Sequence, residues 1–179
     1  MRDTAFAKDY FRHYGTKKIP FRKWDLNVVF IYYFRKLKAA KSSIAKLFYR
    51  YKLKRLRIKT FISIPNSVEI GNGLYIGHYG RIIINQDAIL GKNVNLSTGI
   101  VIGGENRGLR KGSPIIGDSV WIGSNAVIVG KITIGDDVLI APLSFVNFDV
   151  PSHSIVIGNP AKIIHSENAT KGYVENIVD

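Results

Sequence analysis

One histidine stands among small residues in a segment that suits solvent-facing chemistry. His78 lies in the sequence Gly77-His78-Tyr79-Gly80. A neutral imidazole flanked by small residues at a bulge can reach solvent and act as a general base near pH 7. A turn histidine without chemistry is the alternative, and the residues alone leave both interpretations open. The other three histidines lie in helical, turn or tail contexts and are expected to be structural or exposed: His13, His153 and His165.

A second segment is basic and rich in glycine. It runs from Gly103 to Pro114 and carries the cations Arg107, Arg110 and Lys111. This composition predicts a loop that points outward.

The elements that position these two segments follow from a six-residue repeat. Each unit holds an aliphatic residue, and glycine often comes next. Such a period fits neither a helix nor a long flat strand, because each unit must contain a turn. Three units would close one triangular coil of about 18 residues, so residues 62–164 predict about five coils of a parallel β-helix. Thirteen aliphatic residues occupy the frame: Ile64, Ile70, Ile76, Ile84, Leu90, Leu96, Ile102, Ile116, Ile122, Ile128, Ile134, Ile140 and Val146.

The frame fails at two places, and a solenoid carries function where its period fails. Between Ile76 and Ile84 it slips by two positions, and the slip contains His78. Ile102 and Ile116 are likewise two positions farther apart than two whole units would place them. A zinc site on such a fold would need three histidines from adjacent coils, and only His78 lies in the right stretch. We therefore expect no metal.

Charge divides the chain of 179 residues unevenly. Residues 1–60 hold 18 Lys and Arg against three acidic residues, whereas the remainder is close to neutral. Segment 1–60 is also rich in aromatic residues, and it predicts a short helix around Thr4–Tyr14, a helix over Leu26–Ser42 capped by Asp25, and another over Ser43–Arg57. The expected division is a basic helical segment 1–60, a hexapeptide-repeat domain 61–165 with a loop at 104–113, and a polar tail 166–179.

Composition also excludes several classes of protein. The chain has no cysteine, which rules out disulfides, thiolate zinc sites and a cysteine nucleophile. No stretch approaches the ~18 apolar residues of a membrane span, and the N-terminus has no apolar signal region. A cytoplasmic location is expected.

The repeats resemble the hexapeptide-repeat acyltransferases, in particular the serine acetyltransferase-like branch. The resemblance is carried by the hexads together with residues 70–78 (IGNGLYIGH), 100–104 (IVIGG) and 158–162 (GNPAK). It covers about residues 61–165. It implies a left-handed β-helix in a homotrimer that transfers an acetyl group from acetyl-CoA directly to a hydroxyl, without a metal.

The resemblance also implies roles for individual residues. His78 aligns with the catalytic base, and Ser63, Asn85 or a backbone carbonyl would orient it. The turn at Gly103 and Gly104 would stabilise the oxyanion. Tyr79, Arg107 and Ser113 are candidates for the acceptor. Pantetheine would lie along small residues that allow close backbone approach, and Lys162 with the loop cations Arg107, Arg110 and Lys111 would meet the CoA phosphates, with a solvated basic loop as the alternative. The small residues are Gly123, Ser124, Asn125, Ala126, Ala141 and Pro142.

Departures from the serine acetyltransferase pattern bear on the acceptor. Ser63 and Gly77 stand where the family has aspartates, and Gly112-Ser113 replaces the Arg-His that precedes a proline. A zwitterion needs a charged partner for each of its groups, so these losses disfavour L-serine. A neutral sugar needs neither partner, and the pattern resembles O-acetyltransferases of capsule and exopolysaccharide synthesis. A sugar or glycan acceptor is therefore expected. The alternatives are a serine or other small-molecule O-acetyltransferase and a catalytically silent β-helix scaffold.

The basic segment 1–60 predicts its own partner. Cations mixed with aromatic residues on helices suit an anionic membrane surface, which would place the enzyme at the inner face of the cell membrane. The alternative is that the helices pack on the β-helix and on a neighbouring subunit. Nucleic acid is disfavoured because no recognition motif accompanies the charge.

Overall fold

The computed structural model describes residues 4–19 and 24–179. Residues 1–3 and 20–23, which belong to the predicted basic segment, lie outside this description. Three helices come first: α1 (Ala5–Tyr14), α2 (Leu26–Ala39) and α3 (Ser43–Thr60). α2 ends before the predicted Ser42, and α3 continues past the predicted Arg57.

The ends of α1 follow ordinary capping chemistry. The Thr4 hydroxyl oxygen accepts the N–H of Ala7 at 3.2 Å, and Gly15 ends the helix at a φ of +63°. A threonine at the N-cap satisfies an N–H that has no partner within the helix, and a left-handed glycine at the C-cap releases the chain.

Short strands then wind into a parallel solenoid of about five coils, which confirms the predicted fold. Three sheets form its faces: sheet A (β1-β4-β7-β10-β13), sheet B (β2-β5-β8-β11) and sheet C (β3-β6-β9-β12-β14-β15). The strands are β1 (Ile62–Ser63), β2 (Glu69–Ile70), β3 (Tyr75–Ile76), β4 (Ile82–Ile84), β5 (Ile89–Leu90), β6 (Asn95–Leu96), β7 (Val101–Gly103), β8 (Ile115–Ile116), β9 (Trp121–Ile122), β10 (Val127–Val129), β11 (Thr133–Ile134), β12 (Val138–Ile140), β13 (Phe145–Val146), β14 (Ser154–Gly158) and β15 (Ala161–His165).

Strand register shows how the two breaks in the period are accommodated. Regular neighbours such as Ile84 and Ile102 are separated by three whole units of the repeat. Ile76 pairs with Leu96, two positions beyond three units, because the His78 turn is longer than a regular turn. Leu90 pairs with Ile116, eight positions beyond three units. The loop is therefore longer by eight positions and not by two as the sequence suggested, because Ile116 occupies the face directly after Ile102.

The core consists of the aliphatic residues of the frame and of the apolar residues that precede each of them by two positions. Ile62, Ile64, Leu74 and Ile76 are at most 1% exposed. Each inward side chain stacks on its counterpart in the next coil, so apolar burial is continuous along the axis.

The solenoid closes with a hairpin and a docked tail. β14 and β15 pair antiparallel around Gly158-Asn159-Pro160. The tail lies across the solenoid, where the side chains of Asn93 and Asn95 donate to the carbonyls of Val178 and Tyr173, both at 2.8 Å. In the described part of the chain, no helix is long and apolar enough to cross a membrane. The division into 1–60, 61–165 and 166–179 stays a prediction.

Candidate active site

His78 lies in the turn between β3 and β4, where the sheet C face passes to the sheet A face. Its side chain is exposed, as is that of Tyr79 beside it (54%). Across residues 4–19 and 24–179, no side chain hydrogen-bonds the imidazole. The ring is therefore open to solvent and to an incoming hydroxyl.

Turns from successive coils stack beside His78 and form one edge of the solenoid, here called the corner (residues 77–80, 97–100, 123–126 and 141–144). The N–H of Asn125 donates to the carbonyl of Thr98 at 3.0 Å, and the N–H of Leu143 donates to the carbonyl of Ser124 at 3.0 Å. Gly99, at a φ of +81°, makes this stacking close, because a Cβ there would lie 2.0 Å from the Asn125 side-chain oxygen. Small residues thus leave a shallow track along the corner.

A groove of about 180 Å³ opens at the His78 end of the corner. Its wall includes hydroxyl and aromatic groups from the next two coils: Ser97, Thr98, Trp121 and Ser124. Such a groove offers hydroxyls for hydrogen bonding and an apolar indole surface within reach of one imidazole.

The residues expected along pantetheine lie on this same corner. Gly123, Ser124, Asn125 and Ala126 form its third turn, and Ala141 and Pro142 begin the fourth. A Cβ on Gly123 would lie 2.6 Å from the backbone nitrogen of Pro142, so the two turns are in contact. Lys162 is exposed on β15, beside the hairpin whose Gly158 N–H donates to Ser144 Oγ at 3.1 Å. The small residues and His78 thus share one edge, and Lys162 lies in the hairpin that contacts its last turn.

The loop residues meet at a different edge. Ser113 Oγ donates to Asn85 Oδ1 at 3.0 Å, and a Cβ on Gly104 would lie 3.0 Å from both side chains. Gly103 ends β7 at the same place, between the faces of sheets A and B. Arg107 is exposed in the loop. Within one chain these residues lie together, but the structure does not bring them to His78.

Neither side chain expected to orient His78 contacts it. Asn85 is engaged at the loop base, where its Oδ1 also accepts the N–H of Asp87 at 2.9 Å. Ser63 is exposed on β1 and pairs with Ile83. Among the described residues, no hydrogen bond joins Ser63 to His78. Among the described residues, no backbone carbonyl bonds the imidazole either, so what orients His78 stays a prediction.

Two side chains from the helices hold the backbone just before His78. The Asn27 side-chain amide donates to the Ile76 carbonyl and, at 3.4 Å, to the Gly77 carbonyl. The His13 Nδ1 donates to the Asp9 carbonyl at 2.8 Å, and Nε2 accepts the Ile76 N–H at 3.2 Å. Burial lowers the pKa of His13, which favours this neutral form.

A buried ion pair anchors the same helices to the first coil. Arg35 donates to both carboxylate oxygens of Asp9, at 2.7 and 3.0 Å, and to the carbonyls of Ile70 and Gly71. Asp9 also accepts the N–H of Leu74 at 2.8 Å. Burial raises the pKa of Asp9, and Arg35 opposes that shift.

Arg12 of α1 is likewise buried against the first coil. Its guanidinium donates to Asn95 and, at 3.1 Å, to the carbonyl of Gly73. Burial lowers the pKa of Arg12 to about 10. The helices are thus tied to the coil that carries the His78 turn through buried polar contacts.

Sequence reasoning missed Thr98 and Asn27. Thr98 follows His78 by the same interval that separates Ile76 from Leu96, so the coil spacing could have identified it. No sequence pattern could have identified Asn27, because it reaches the site from a helix outside the repeat. Within the described residues, no cluster of three or more His, Cys, Asp or Glu is arranged to hold a metal ion.

The fold is a parallel β-solenoid, and part of it matches a known family model. The family model described as bacterial transferase hexapeptide (six repeats) matches residues 113–147, from just before β8 to the end of β13. Curated relatives of the chain include serine acetyltransferases.

Two curated relatives illustrate this homology. The chain is 33% identical to serine acetyltransferase 2 of Arabidopsis thaliana over 129 residues, covering 66% of this chain and 40% of the relative. It is 35% identical to the serine acetyltransferase of Staphylococcus xylosus over 128 residues, covering 69% of this chain and 59% of the relative. The chain thus spans about half the length of these relatives.

A solved structure agrees with the fold over most of the chain. The serine acetyltransferase of Brucella abortus strain S19 in complex with coenzyme A superposes with a TM-score of 0.74 at 26% identity. The match covers 90% of this chain and 67% of the other.

These relatives correct the predicted acceptor. An enzyme that acetylates sugars in capsule or exopolysaccharide synthesis is the wrong prediction, because relatives 33% and 35% identical are named serine acetyltransferases. The prediction rests on missing polar side chains at Ser63, Gly77, Gly112 and Ser113. Arg107 and Lys111 nevertheless remain exposed in the same loop.

Proposed function

We propose that the protein is an O-acetyltransferase that moves the acetyl group of acetyl-CoA to the hydroxyl of serine or a similar small acceptor. The observation that carries this proposal is the position of His78, exposed at the end of a track of small stacked residues. The homology to serine acetyltransferases, one of them solved with coenzyme A, supports the choice of both substrates.

His78 serves as the general base. Its open ring nitrogen takes the proton of the acceptor hydroxyl as the oxygen attacks the thioester carbonyl carbon. The tetrahedral intermediate collapses, the carbon–sulfur bond breaks, and the thiolate leaves and regains a proton from the imidazolium. The products are the O-acetyl ester and CoA, and no acyl-enzyme forms.

The corner binds the donor. Its turns at 123–126 and 141–144 present backbone and small side chains, which suits the narrow pantetheine arm. Lys162 lies near the far end of the corner, where a cation can bind phosphate. The hydroxyls of Thr98 and Ser124 line the groove between this end and His78.

The acceptor carboxylate binds to cations of the loop. Arg107 and Lys111 are exposed. Arg110 is paired with Glu105, with 4.0 Å between Arg110 Nε and Glu105 Oε1. Ser113 is held by Asn85 at the loop base and fixes where the loop ends. The loop thereby supplies the charge that Gly112 and Ser113 do not.

A homotrimer would unite the two parts of the site. The loop and His78 lie at different edges of one solenoid, so the loop of one subunit must meet the corner of another. The turn at Gly103 and Gly104 would then supply its N–H groups to the oxyanion from the neighbouring chain. Three isoleucines support assembly because they remain about 40–46% exposed on the outer faces of sheets A and B: Ile83, Ile89 and Ile115.

We also propose that the basic helical segment contacts an anionic membrane surface. This contact is separate from acetyl transfer and rests on charge and exposure alone. A cytoplasmic location beside the membrane stays a prediction.

Release of the CoA thiol tests the acetyl-transfer proposal. Wild type, His78→Ala and His165→Ala are supplied with acetyl-CoA and either L-serine or related small hydroxy compounds. The chain has no cysteine and contributes no thiol to the signal. His165 is a matched control, since its side chain is 67% exposed and bonds Glu167.

We expect serine-dependent release by wild type, a loss of about 10²–10⁴-fold in His78→Ala, and no change in His165→Ala. Equal release by His78→Ala would remove the proposed base. Binding of CoA without release for any acceptor would instead support the silent scaffold. Sedimentation of the same samples reports whether the chain is a trimer.

A further inference from the structure

α3 has two apolar faces on opposite sides. Leu53, Leu56 and Thr60 are buried against the rest of the molecule. The opposite face exposes a row that we call the outer stripe: Ile44 (82%), Leu47 (71%), Phe48 (50%), Tyr51 (54%) and Ile58 (71%). At 3.6 residues per turn these five side chains fall within an arc of about 100°. Arg55 lies within the same arc, and its guanidinium donates to the Tyr51 hydroxyl at 3.1 Å. A soluble helix needs only one apolar face, so the outer stripe is unexplained by packing within the chain.

Cations border the outer stripe on both sides. Arg50 and Lys54 flank one edge and Lys52 and Lys59 the other, as the helical positions require. The Lys52 Nζ lies 5.3 Å from the centre of the Phe48 ring. From Leu26 to Val68, which includes α2 and β1 against which α3 packs, the sequence contains no Asp or Glu. The border is therefore uniformly positive.

The other two helices do not offer such a surface. In α1, Phe6 and Tyr10 are buried, and in α2, Phe30, Ile31 and Phe34 are at most 1% exposed. Packing within the chain thus accounts for the main apolar faces of α1 and α2. Of the three helices in segment 1–60, α3 is therefore the candidate for the expected membrane contact.

We propose that α3 docks the protein to an anionic lipid bilayer. The outer stripe enters the boundary between headgroups and acyl chains, and the bordering cations remain among the anionic headgroups. Two copies of α3 packed stripe to stripe would bring like charges within a Debye length, which disfavours a second chain as the occupant. Nucleic acid would pair with the cations but would leave Ile44, Leu47 and Ile58 without an apolar partner. A bilayer satisfies both features.

Co-sedimentation with vesicles tests the docking, and it does not depend on acetyl transfer. The full chain is mixed with vesicles of phosphatidylcholine alone or with about one third phosphatidylglycerol. Leu47→Ser/Phe48→Ser alters the outer stripe, and Ile164→Ser, on a 53% exposed residue of β15, is its control. Arg50→Gln/Lys54→Gln alters the border, and Lys92→Gln/Lys171→Gln is a control with the same change in net charge at exposed positions.

We expect binding to the anionic vesicles only. The border variant should lose about 25-fold in partitioning, since each cation contributes roughly five-fold. The stripe variant should lose at least ten-fold, and both controls should bind like wild type. All altered side chains are exposed, and matching circular dichroism confirms that the fold is kept.

Three results would overturn the proposal. The first is equal vesicle binding by wild type and the stripe variant. The second is an equal loss in Lys92→Gln/Lys171→Gln, which would show that net charge alone acts. The third is no vesicle binding by wild type. In that case, binding to duplex DNA, or a smaller assembly in the stripe variant, would identify the different occupant of α3.

Discussion

The side-chain amide of Asn27, in α2, donates to the carbonyl oxygen of Gly77, the residue immediately before His78. The same amide also donates to the carbonyl of Ile76. A helix outside the repeat thus holds the turn that carries the proposed base. We infer that Asn27 positions His78 through the backbone of this turn.

Replacing Asn27 with alanine should therefore slow the reaction. We expect kcat for acetyl transfer to fall about 10–100-fold, the range typical of groups that orient a reacting residue, with KM for acetyl-CoA nearly unchanged. Steady-state kinetics at a temperature where both proteins are folded would measure this. Asn168→Ala, at an exposed position, is the control. A kcat that falls only in proportion to the folded fraction would show that Asn27 acts on stability alone.

The pair Asp9 and Arg35 should be the electrostatic contact on which stability depends most. Arg35→Met leaves a buried carboxylate without its partner and should lower the free energy of unfolding by about 3–5 kcal/mol. Asp9→Asn/Arg35→Met removes both charges and should be less destabilised than the single variant. Urea denaturation measures both. Arg110→Met, at the exposed pair with Glu105, should change stability by less than about 1 kcal/mol. If the double variant were as unstable as Arg35→Met, the unpaired charge of Asp9 would not be the cause of the loss.

Glycine at position 99 should be required for the close stacking of the corner. Gly99 and Gly172 share a φ of +81°, but a Cβ on Gly172 would meet nothing within 4 Å. Gly172→Ala should therefore cost only the backbone strain, about 1–2 kcal/mol. Gly99→Ala must also displace Asn125, which should cost a further ~1–3 kcal/mol and weaken CoA binding. Thermal unfolding and CoA titration of the two variants test this, and equal losses would mean that the stacked turns separate easily.

Two histidines should change the pH dependence of stability in opposite directions. Burial lowers the pKa of His13, so its contribution is complete above the unfolded value near 6.5 and declines as pH falls below it. The hydrogen bond to Asp137 raises the pKa of His153, so its contribution is complete below 6.5 and is lost as pH rises through the folded value. Relative to wild type, His13→Gln should reduce the loss of stability on acidification from pH 8 to 5. His153→Gln should increase that loss. Unfolding free energies of the three proteins, measured at several pH values, test this. If both variants changed the loss of stability in the same direction, the expectation would be wrong.

The repeat made most of the fold predictable, because each hexad specifies its own turn and inward side chain. Ile76 and Leu96 occupy equivalent faces as the frame requires. The size of the loop was misjudged because the frame alone does not say which face Ile116 occupies. Contacts from outside the repeat were not predictable: Arg12 reaches the carbonyl of Gly73, far along the chain, and only the folded protein brings the two together.

The long step from Leu90 to Ile116 has a consequence for how the chain tolerates change. Lengthening a regular coil by this much costs only about 0.3 kcal/mol of chain entropy, because the closure penalty grows with the logarithm of length. Insertions and deletions in the loop at 104–113 therefore change the stability of the coils on either side very little. New acceptor chemistry can evolve there while the register that positions His78 is inherited unchanged.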